Sequence, residues 1–261
     1  MLFRSLENRI EFWKKIYTQY GKDDIVIHDR FYVNLIYDVA DESNVDAKLK
    51  ATREALREIQ ANLGSPENLS ESAKQIREKL ETEKLSPTRS LIENLLGNIH
   101  TQRGIKERFK DGIVRSGRYV DSFRSIMANT GVPAELALLP LVESSFDNVK
   151  SKAAALGVWQ FTRSTGRLYL TINKTTDQRL DPDKATRAAA KLLRDNYNAL
   201  ASWPLAITAY NHGRAGMVRA KDQLGSDLTR IINDYHGPVF GYASMNFYSE
   251  FLAAEIGRAH V

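Results

Sequence analysis

A single carboxylate stands where its surroundings favour acid chemistry. An apolar run that contains Pro140 leads directly to Glu143, and Ser144, Ser145 and Phe146 follow. Such a run is normally buried, and burial disfavours the charged form of an unpaired carboxylate. We therefore expect a raised pKa for Glu143, as suits a general acid. The alternative from this segment alone is a helix-terminal glutamate with its carboxylate in water.

Two later segments contain polar and aromatic residues that could act together with this carboxylate. Residues 151–165 contain Trp159-Gln160-Phe161, and residues 203–213 contain Tyr210-Asn211-His212. With residues 143–146 they resemble, in content, order and spacing, the three motif blocks of the lytic transglycosylases in the goose-type-lysozyme-like superfamily (glycoside hydrolase family 23). The resemblance is closest to the membrane-bound lytic murein transglycosylase D branch. It covers roughly residues 100–253 through further blocks, which lie at 102–109, 177–182, 185–193 and 246–251.

The resemblance implies a chemistry that uses one carboxylate. Lytic transglycosylases cleave the β-1,4 bond between N-acetylmuramic acid and N-acetylglucosamine without water and leave a 1,6-anhydro ring. On this chain Glu143 would protonate the leaving oxygen and then take the proton from the C6 hydroxyl, which attacks C1. The 2-acetamido group of the substrate would stabilise the cation at C1. An attacking group that is already tethered can supply about 7–11 kcal/mol of the barrier.

The resemblance also implies which side chains contact the glycan. By motif position these expected substrate-binding residues are Ser144, Ser151, Gln160, Tyr210, Asn211 and Tyr248. Ser144 would help to fix the turn, and Gln160 would offer an amide donor and acceptor to the sugar. Tyr210 matches the tyrosine that contacts the acid, and Asn211 is expected to be buried with specific partners.

Aromatic residues of the same blocks have a simpler interpretation. Phe146, Trp159 and Phe161 are expected to pack in the core. His212 next to Asn211 could touch the substrate, but a hydrogen-bonded structural histidine is the favoured interpretation.

A second acid is not evident near Glu143, although glycoside hydrolysis normally uses two carboxylates about 5 to 9.5 Å apart. Asp147 falls where the chain turns away, and Asp177 is a further candidate. Asp181 and Asp183 fit better as turn and helix-capping residues.

Two departures from the family pattern concern the loop after Phe146. The segment from Asp147 to Lys150 is one residue shorter than usual, and Ala154 stands at the family's usual glycine. If that position requires a positive φ, Ala154 destabilises the loop.

Composition and charge argue against several other classes of site and partner. The chain has 261 residues, 43% of them hydrophobic, no cysteine and a formal net charge of +5. The absence of cysteine excludes disulfides and thiolate metal sites. The histidines are dispersed without paired spacing, so we expect no metal and no cofactor. Basic residues are scattered rather than clustered on one helix, which argues against nucleic acid as a partner.

Helical periodicity dominates the chain. The best patterns cover residues 45–63, 70–83, 105–116, 119–129 and 183–200, and Ser86-Pro87 is expected to open another helix. Strand signals are confined to residues 24–28 and 31–37, and residues 33–40 could equally form a helix. We predict a mainly α protein with a lysozyme-like transglycosylase core, residues 101–255, and a helical N-terminal extension, residues 1–100.

The ends of the chain suggest the context of the gene product. Residues 256–261 are what a common sequencing adapter would encode, so we expect them to be an artefact. A longer product could carry C-terminal LysM repeats that bind glycan. No export signal is recognised at the N-terminus, yet a peptidoglycan substrate implies the periplasm or outer membrane of a Gram-negative bacterium. We expect a monomer acting on glycan strands.

Two other functions fit the same residues. One is a lysozyme-like hydrolase that admits water and releases a reducing-end product. The other is a catalytically weak peptidoglycan-binding protein whose loop has degenerated.

Overall fold

The computed structural model describes residues 6–29, 37–41, 43–151 and 154–259, and they divide into two compact units. The first unit runs to Lys106 and the second begins at Glu107. The predicted boundary near residue 100 lies a few residues earlier, because a strand just beyond that position pairs within the first unit. Thirteen α-helices and three β-strands occur in the described part of the chain, which confirms the mainly α class.

The first unit combines four helices with one small sheet. Its elements in chain order are α1 (Leu6–Thr18), β1 (Ile25–Asp29), β2 (Tyr37–Ala40), α2 (Val45–Ala61), a 3₁₀ helix (Pro66–Asn68), α3 (Glu71–Thr82), α4 (Arg89–Asn98) and β3 (Ile99–Arg103). Helices α3 and α4 begin at side-chain caps, because Ser70 accepts from the Ala73 amide and Thr88 accepts from the Leu91 amide. The fourth helix therefore begins after Pro87 rather than on it.

The sheet has β1 in the centre and two antiparallel neighbours. Ile25 lies opposite Ala40 on one side and Arg103 on the other. The predicted strand at 24–28 is confirmed, and residues 37–40 form a strand rather than a helix; residues 31–36 lie outside the described residues. Strand β3 was not predicted, since its polar sequence follows α4 without a turn signal and only pairing with β1 makes it a strand.

Apolar stripes of α2, α3 and α4 form the core of the first unit. Leu56 and Ile59 of α2 are buried with Leu80 of α3, and with Ile92 and Leu95 of α4. This spacing of apolar residues is the amphipathic pattern that the sequence predicted for residues 45–63.

The second unit is built almost entirely of helices. Its elements are α5 (Lys106–Ser116), α6 (Val120–Asn129), a 3₁₀ helix (Ala134–Leu138), α7 (Pro140–Glu143), α8 (Arg163–Gly166), a 3₁₀ helix (Gln178–Leu180), α9 (Pro182–Leu200), α10 (Trp203–His212), α11 (Arg214–Leu224), α12 (Leu228–Asp234) and α13 (Tyr242–Arg258). Among the described residues no helix is both long enough and apolar enough to cross a bilayer.

Helix α10 lies at the centre of this unit. Residues 205–209 are all buried, and α9, α11 and α13 pack around them. Asn196 of α9 reinforces the contact by donating to the Ala206 carbonyl at 3.2 Å. Helix α13 also packs against α7, so the central helix and the segment that ends at Glu143 share one neighbour. That arrangement brings residues far apart in sequence to the site.

Candidate functional site

Glu143 is the last residue of a short helix that follows a buried apolar segment. Pro140 starts α7 at a position where its missing N–H is not needed. The Pro140 carbonyl then accepts from both the Ser144 and the Phe146 amides, at 3.0 and 3.1 Å. Ser145 and Phe146 have φ values of 55° and 56°, which non-glycine residues rarely adopt. The chain therefore turns sharply directly after the carboxylate.

Helix α5 holds this unfavourable turn in place. The Nε atoms of Arg108 and Arg115 donate to the hydroxyl and the carbonyl oxygen of Ser145, at 3.1 and 2.9 Å. Gly112 lies so close that a Cβ there would come within 3.0 Å of the Ser145 Cβ. Strained backbone of this kind persists where the surroundings over-determine it, and such positions concentrate at functional sites.

The environment of Glu143 favours the protonated acid. Its side chain forms no hydrogen bond or ion pair with any residue that the structure describes, and the residue is half-buried. Burial raises the pKa of Glu143 from 4.5 to about 8. At neutral pH the group is a carboxylic acid that keeps some contact with solvent, the state required of a proton donor.

A second carboxyl group, which the sequence analysis missed, lies near the first. Glu250 on α13 is half-buried, and its pKa is raised to about 8 by burial and by the charge of Glu143. Helical periodicity could have indicated the burial of Glu250. It follows Phe247 by three residues and precedes Ala254 by four, and Phe247 and Ala254 are both buried.

None of the aspartates considered as a second acid has this character. Asp147 is exposed, and Asp177 forms an ion pair with Arg179 at 2.7 Å that lowers its pKa. Asp181 caps α9 through the Lys184 amide, which also lowers its pKa, and its predicted capping role is confirmed. Asp183 is exposed and accepts a hydrogen bond from Ser122 at 3.2 Å.

Tyr210 lies in the aromatic cluster beside the acid. Its hydroxyl donates to the Trp159 carbonyl at 2.7 Å. Its ring lies parallel to that of Phe247, 6.4 Å between centroids with 5° between planes. Burial and the charge of Glu143 raise the pKa of Tyr210 well above 10. The phenol is therefore neutral and tied to the backbone, and it interacts with Glu143 electrostatically.

The Ser144 side chain stabilises the backbone around the site. It is fully buried, and its hydroxyl donates to the Val158 carbonyl at 2.8 Å. This bond joins the turn after Glu143 to the loop that contains Trp159. Such a contact matches the expected help in fixing the turn, and in this conformation the buried hydroxyl is not available to a glycan.

Side-chain hydrogen bonds of Ser151 and Gln160 stabilise the loop that lies between these two residues. Ser151 accepts from the Ala155 amide through its hydroxyl at 3.1 Å. The side-chain amide of Gln160 donates to the carbonyls of Val149 and Gly157, at 2.9 and 2.7 Å. Since the loop uses these hydrogens, the Gln160 carbonyl oxygen is the atom left to accept from a sugar amide or hydroxyl.

The alanine at the family's glycine position adopts a left-handed backbone. Ala154 has a φ of 62°, which confirms the condition under which the sequence predicted a cost. An alanine in this region is disfavoured by about 1 kcal/mol relative to its usual conformations. Gly157 follows with a φ of 85°, and a Cβ there would lie only 2.0 Å from the Arg179 carbonyl oxygen.

Asn211 is exposed, so the expectation of a buried asparagine is wrong. It ends the buried part of α10, where the helix reaches the surface, and its Oδ1 accepts from the Ser244 hydroxyl at 2.9 Å. His212 lies 3.5 Å from the same hydroxyl through Nδ1 and packs so closely on Gly216 that a Cβ there would come within 2.3 Å of Nε2. Burial and the charge of Arg219 lower the pKa of His212.

Tyr248 interacts electrostatically with an acid other than Glu143. It is half-buried on α13, and burial together with the charge of Glu255 raises its pKa. The structure does not bring its hydroxyl into a hydrogen bond with Glu143. The remaining aromatic predictions hold: Phe146, Trp159 and Phe161 are all buried, and Trp159 donates from Nε1 to Thr186 at 2.7 Å.

Comparison with known proteins finds similarity over the segment that contains Glu143. Residues 122–233 match the transglycosylase SLT domain. Over 118 residues, 44% of this chain, the sequence is 36% identical to the membrane-bound lytic murein transglycosylase D of Escherichia coli strain K12. The same figures hold for the protein of that name from Escherichia coli O6:H1. The matched segment spans 26% of each relative's length.

Proposed function

We propose that the protein is a peptidoglycan lytic transglycosylase, from the premise that residues 122–233 match the transglycosylase SLT domain. Glu143 is the observation that carries the proposal. It is half-buried, it has no partner among the described residues, and its pKa of about 8 keeps it protonated at neutral pH. The substrate would be the β-1,4 bond between N-acetylmuramic acid and N-acetylglucosamine.

In the first step Glu143 donates its proton to the glycosidic oxygen as the bond to C1 breaks. The 2-acetamido oxygen of the substrate stabilises the positive charge that develops at C1. The Gln160 carbonyl oxygen would orient the sugar by accepting from its amide or hydroxyl groups. The donated proton leaves Glu143 as a carboxylate.

In the second step the Glu143 carboxylate removes the proton from the C6 hydroxyl, whose oxygen then bonds to C1. The 1,6-anhydro ring closes and Glu143 returns to its acid form, so no water is consumed. One residue can act in both directions because its pKa lies close to working pH. The tethered hydroxyl removes the need to bind and orient a second reactant.

The second carboxyl group does not favour a hydrolase. A two-carboxylate glycosidase needs one group ionised while the other is protonated, which requires environments that push the two pKa values apart. Here burial raises the pKa of both Glu143 and Glu250 to about 8, so neither is a ready base or nucleophile in the ground state. The proposal therefore retains the single-acid mechanism.

The proposed location of the protein follows from the substrate. Peptidoglycan lies outside the cytoplasmic membrane, and the Escherichia coli relatives are named as membrane-bound. We place the protein in the periplasm or at the outer membrane of a Gram-negative bacterium, as a monomer on glycan strands. Glycan-binding LysM repeats in a longer gene product stay a prediction.

Digestion of purified peptidoglycan, analysed by mass spectrometry, tests the proposal. The parent protein is expected to release muropeptides lighter than the hydrolysis products by one water, and Glu143→Gln to release none. Glu135→Gln is the matched control, since this exposed glutamate belongs to the same segment, and it should act like the parent. Reducing-end products from the parent would indicate a hydrolase. No soluble product from the parent would indicate a binding protein.

A further inference from the structure

We propose that Ser244 is a positioning residue of this site: its hydroxyl holds the oxygen of the Asn211 side-chain amide, so that the NH2 group of that amide faces outward and donates to an acceptor oxygen of the glycan. This inference rests on the proposed function for the identity of the ligand. The orientation of the two side chains can be measured without turnover.

Helix packing brings Ser244 to Asn211. Helix α13 packs against α10, and Ser244 lies in the first turn of α13 while Asn211 lies in the last turn of α10. Ser244 is only 5% exposed, whereas Asn211 is exposed. The Ser244 hydroxyl donates to Asn211 Oδ1 at 2.9 Å. This bond therefore joins a buried group of one helix to a surface side chain of the other.

The direction of this bond decides which atom of Asn211 faces solvent. A serine hydroxyl has one hydrogen to donate, and an amide oxygen can only accept. Because Oδ1 is directed at Ser244, the Nδ2 atom on the other side of the planar amide is directed away from Ser244. Within the part of the chain that the structure describes, no acceptor binds this NH2 group. Asn211 therefore offers hydrogen-bond donors at the surface.

His212 favours the same direction. Its Nδ1 atom lies 3.5 Å from the Ser244 hydroxyl oxygen. Since Asn211 takes the serine hydrogen, Nδ1 can interact with that oxygen only as an N–H donor. The Nε2 atom is buried without a partner among the described residues, so a hydrogen placed there would be an unpaired buried donor. The neutral ring with its hydrogen on Nδ1 satisfies both conditions, and the lowered pKa of His212 agrees with a neutral ring.

The imidazole ring is held by its own neighbours. Phe240 packs on it edge to face, with 4.9 Å between ring centroids and 81° between planes. On another side Gly216 lies so close that a Cβ there would come within 2.3 Å of Nε2. Hydrogen bonds that run in a chain strengthen one another. The chain from His212 through Ser244 to Asn211 consequently has one favourable direction.

The site then presents two amides with opposite roles. Gln160 uses its hydrogens within the loop and offers its carbonyl oxygen, whereas Asn211 uses its oxygen on Ser244 and offers its hydrogens. A glycan with 2-acetamido groups carries both N–H donors and carbonyl acceptors, so it can use both amides. An Asn211 with its oxygen outward would duplicate the acceptor that Gln160 already supplies.

Cosedimentation with purified peptidoglycan, measured in the Glu143→Gln background to prevent turnover, tests the inference. Ser244→Ala and Asn211→Ala should each weaken binding about fivefold. The double variant should bind no more weakly than either single variant, because both changes remove the same interaction. Losses that simply add would overturn the positioning role, since Ser244 would then act independently of Asn211.

Ser249→Ala is the matched control for loss of a buried hydroxyl. Ser249 is 1% exposed on the same helix, and its hydroxyl donates to the Asn246 carbonyl at 2.7 Å rather than to α10. This variant should bind peptidoglycan like the Glu143→Gln background. Binding as weak as that of Ser244→Ala would show that any buried hydroxyl of α13 has the same effect, and would overturn the specific role of Ser244.

Asn211→Asp tests the direction of the amide. The aspartate keeps an oxygen for the Ser244 hydroxyl and has nearly the same shape, but it replaces the outward NH2 group with a second acceptor. Binding should fall at least as far as in Asn211→Ala. Undiminished binding by Asn211→Asp would show that the glycan donates to this position, which contradicts the proposal.

Nitrogen-15 NMR of the His212 ring supplies a readout without glycan. At neutral pH the parent should carry its ring hydrogen on Nδ1, Ser249→Ala should retain this tautomer, and Ser244→Ala should lose the preference. A hydrogen on Nε2 in the parent would overturn the proposed direction. If the parent neither binds peptidoglycan nor forms an anhydro product, the proposed function fails, whereas the ring tautomer still reports how Ser244 is oriented.

Discussion

Replacing the proposed acid should stabilise the protein in a pH-dependent way. Glu143→Gln retains the size and polarity of the side chain but removes its ability to ionise. In the folded state burial raises the pKa of Glu143 from 4.5 to about 8, whereas in the unfolded chain the group ionises freely. Between these two values the unfolded state loses a proton that the folded state retains, so the carboxyl group opposes folding as pH rises.

The magnitude follows from the size of the shift. A change from 4.5 to about 8 corresponds to about 5 kcal/mol once both states are ionised, at about 1.36 kcal/mol per pH unit. At pH 7 the unfolded state has lost its proton and the folded state has not, which gives about 3 kcal/mol as an upper value. Residual solvent contact of Glu143 reduces the gain. Below pH 4.5 the variant and the parent should be equally stable, since the carboxyl group is neutral in both states.

Hydrogen exchange followed by mass spectrometry is the assay, because it reports on peptides of the second unit separately from those of the first. Buried amides of α9 and α10 measure global opening of the second unit. Protection in Glu143→Gln should exceed that of the parent at pH 7 and approach the parent value near pH 4. An equal difference at both pH values, or lower protection at pH 7, would refute the argument that desolvation raises the pKa of Glu143.

Two further predictions concern the frame around the acid. Arg115→Ala removes the donor to the Ser145 carbonyl and should cost about 1–3 kcal/mol of stability. In peptidoglycan digestion assays we expect kcat to fall with KM little changed. A rise in KM with kcat unchanged would contradict a role in orienting Glu143. Tyr210→Phe removes the bond to the Trp159 carbonyl while it retains the ring. Urea denaturation should show a loss of about 1–3 kcal/mol, and stability equal to that of the parent would show that water replaces the phenol.

Much of the site could be predicted from local sequence. The apolar run before Glu143 ensures that this carboxyl group approaches the core, whatever packs around it. Asp181 and Ser70 cap helices because their side-chain oxygens reach amides only a few residues away. For Ala154 the resemblance to the family, rather than local sequence, raised a positive φ as a condition, and the residue has a φ of 62°.

Contacts between distant segments could not be predicted. Strand β3 exists because β1 offers it a hydrogen-bonding partner, and its short, mostly polar sequence is too weak a strand signal by itself. Asn211 belongs to α10 and closely follows its buried residues, yet it is exposed, because α10 reaches the surface there. The commitment of the Gln160 amide to the carbonyls of Val149 and Gly157 also depends on how the loop closes.

From the sequence alone we predicted Glu143 as the acid, because its motif and two later segments resemble the family, and we predicted its burial from the apolar run that precedes it. Tertiary structure decided what surrounds that acid. Arg115 reaches the turn at Ser145 across 30 positions of sequence, and Glu250 meets the site only because α13 packs on α7 and α10. Burial of one residue can be recognised from its neighbours in sequence, whereas the coupling of two charges depends on their separation in space.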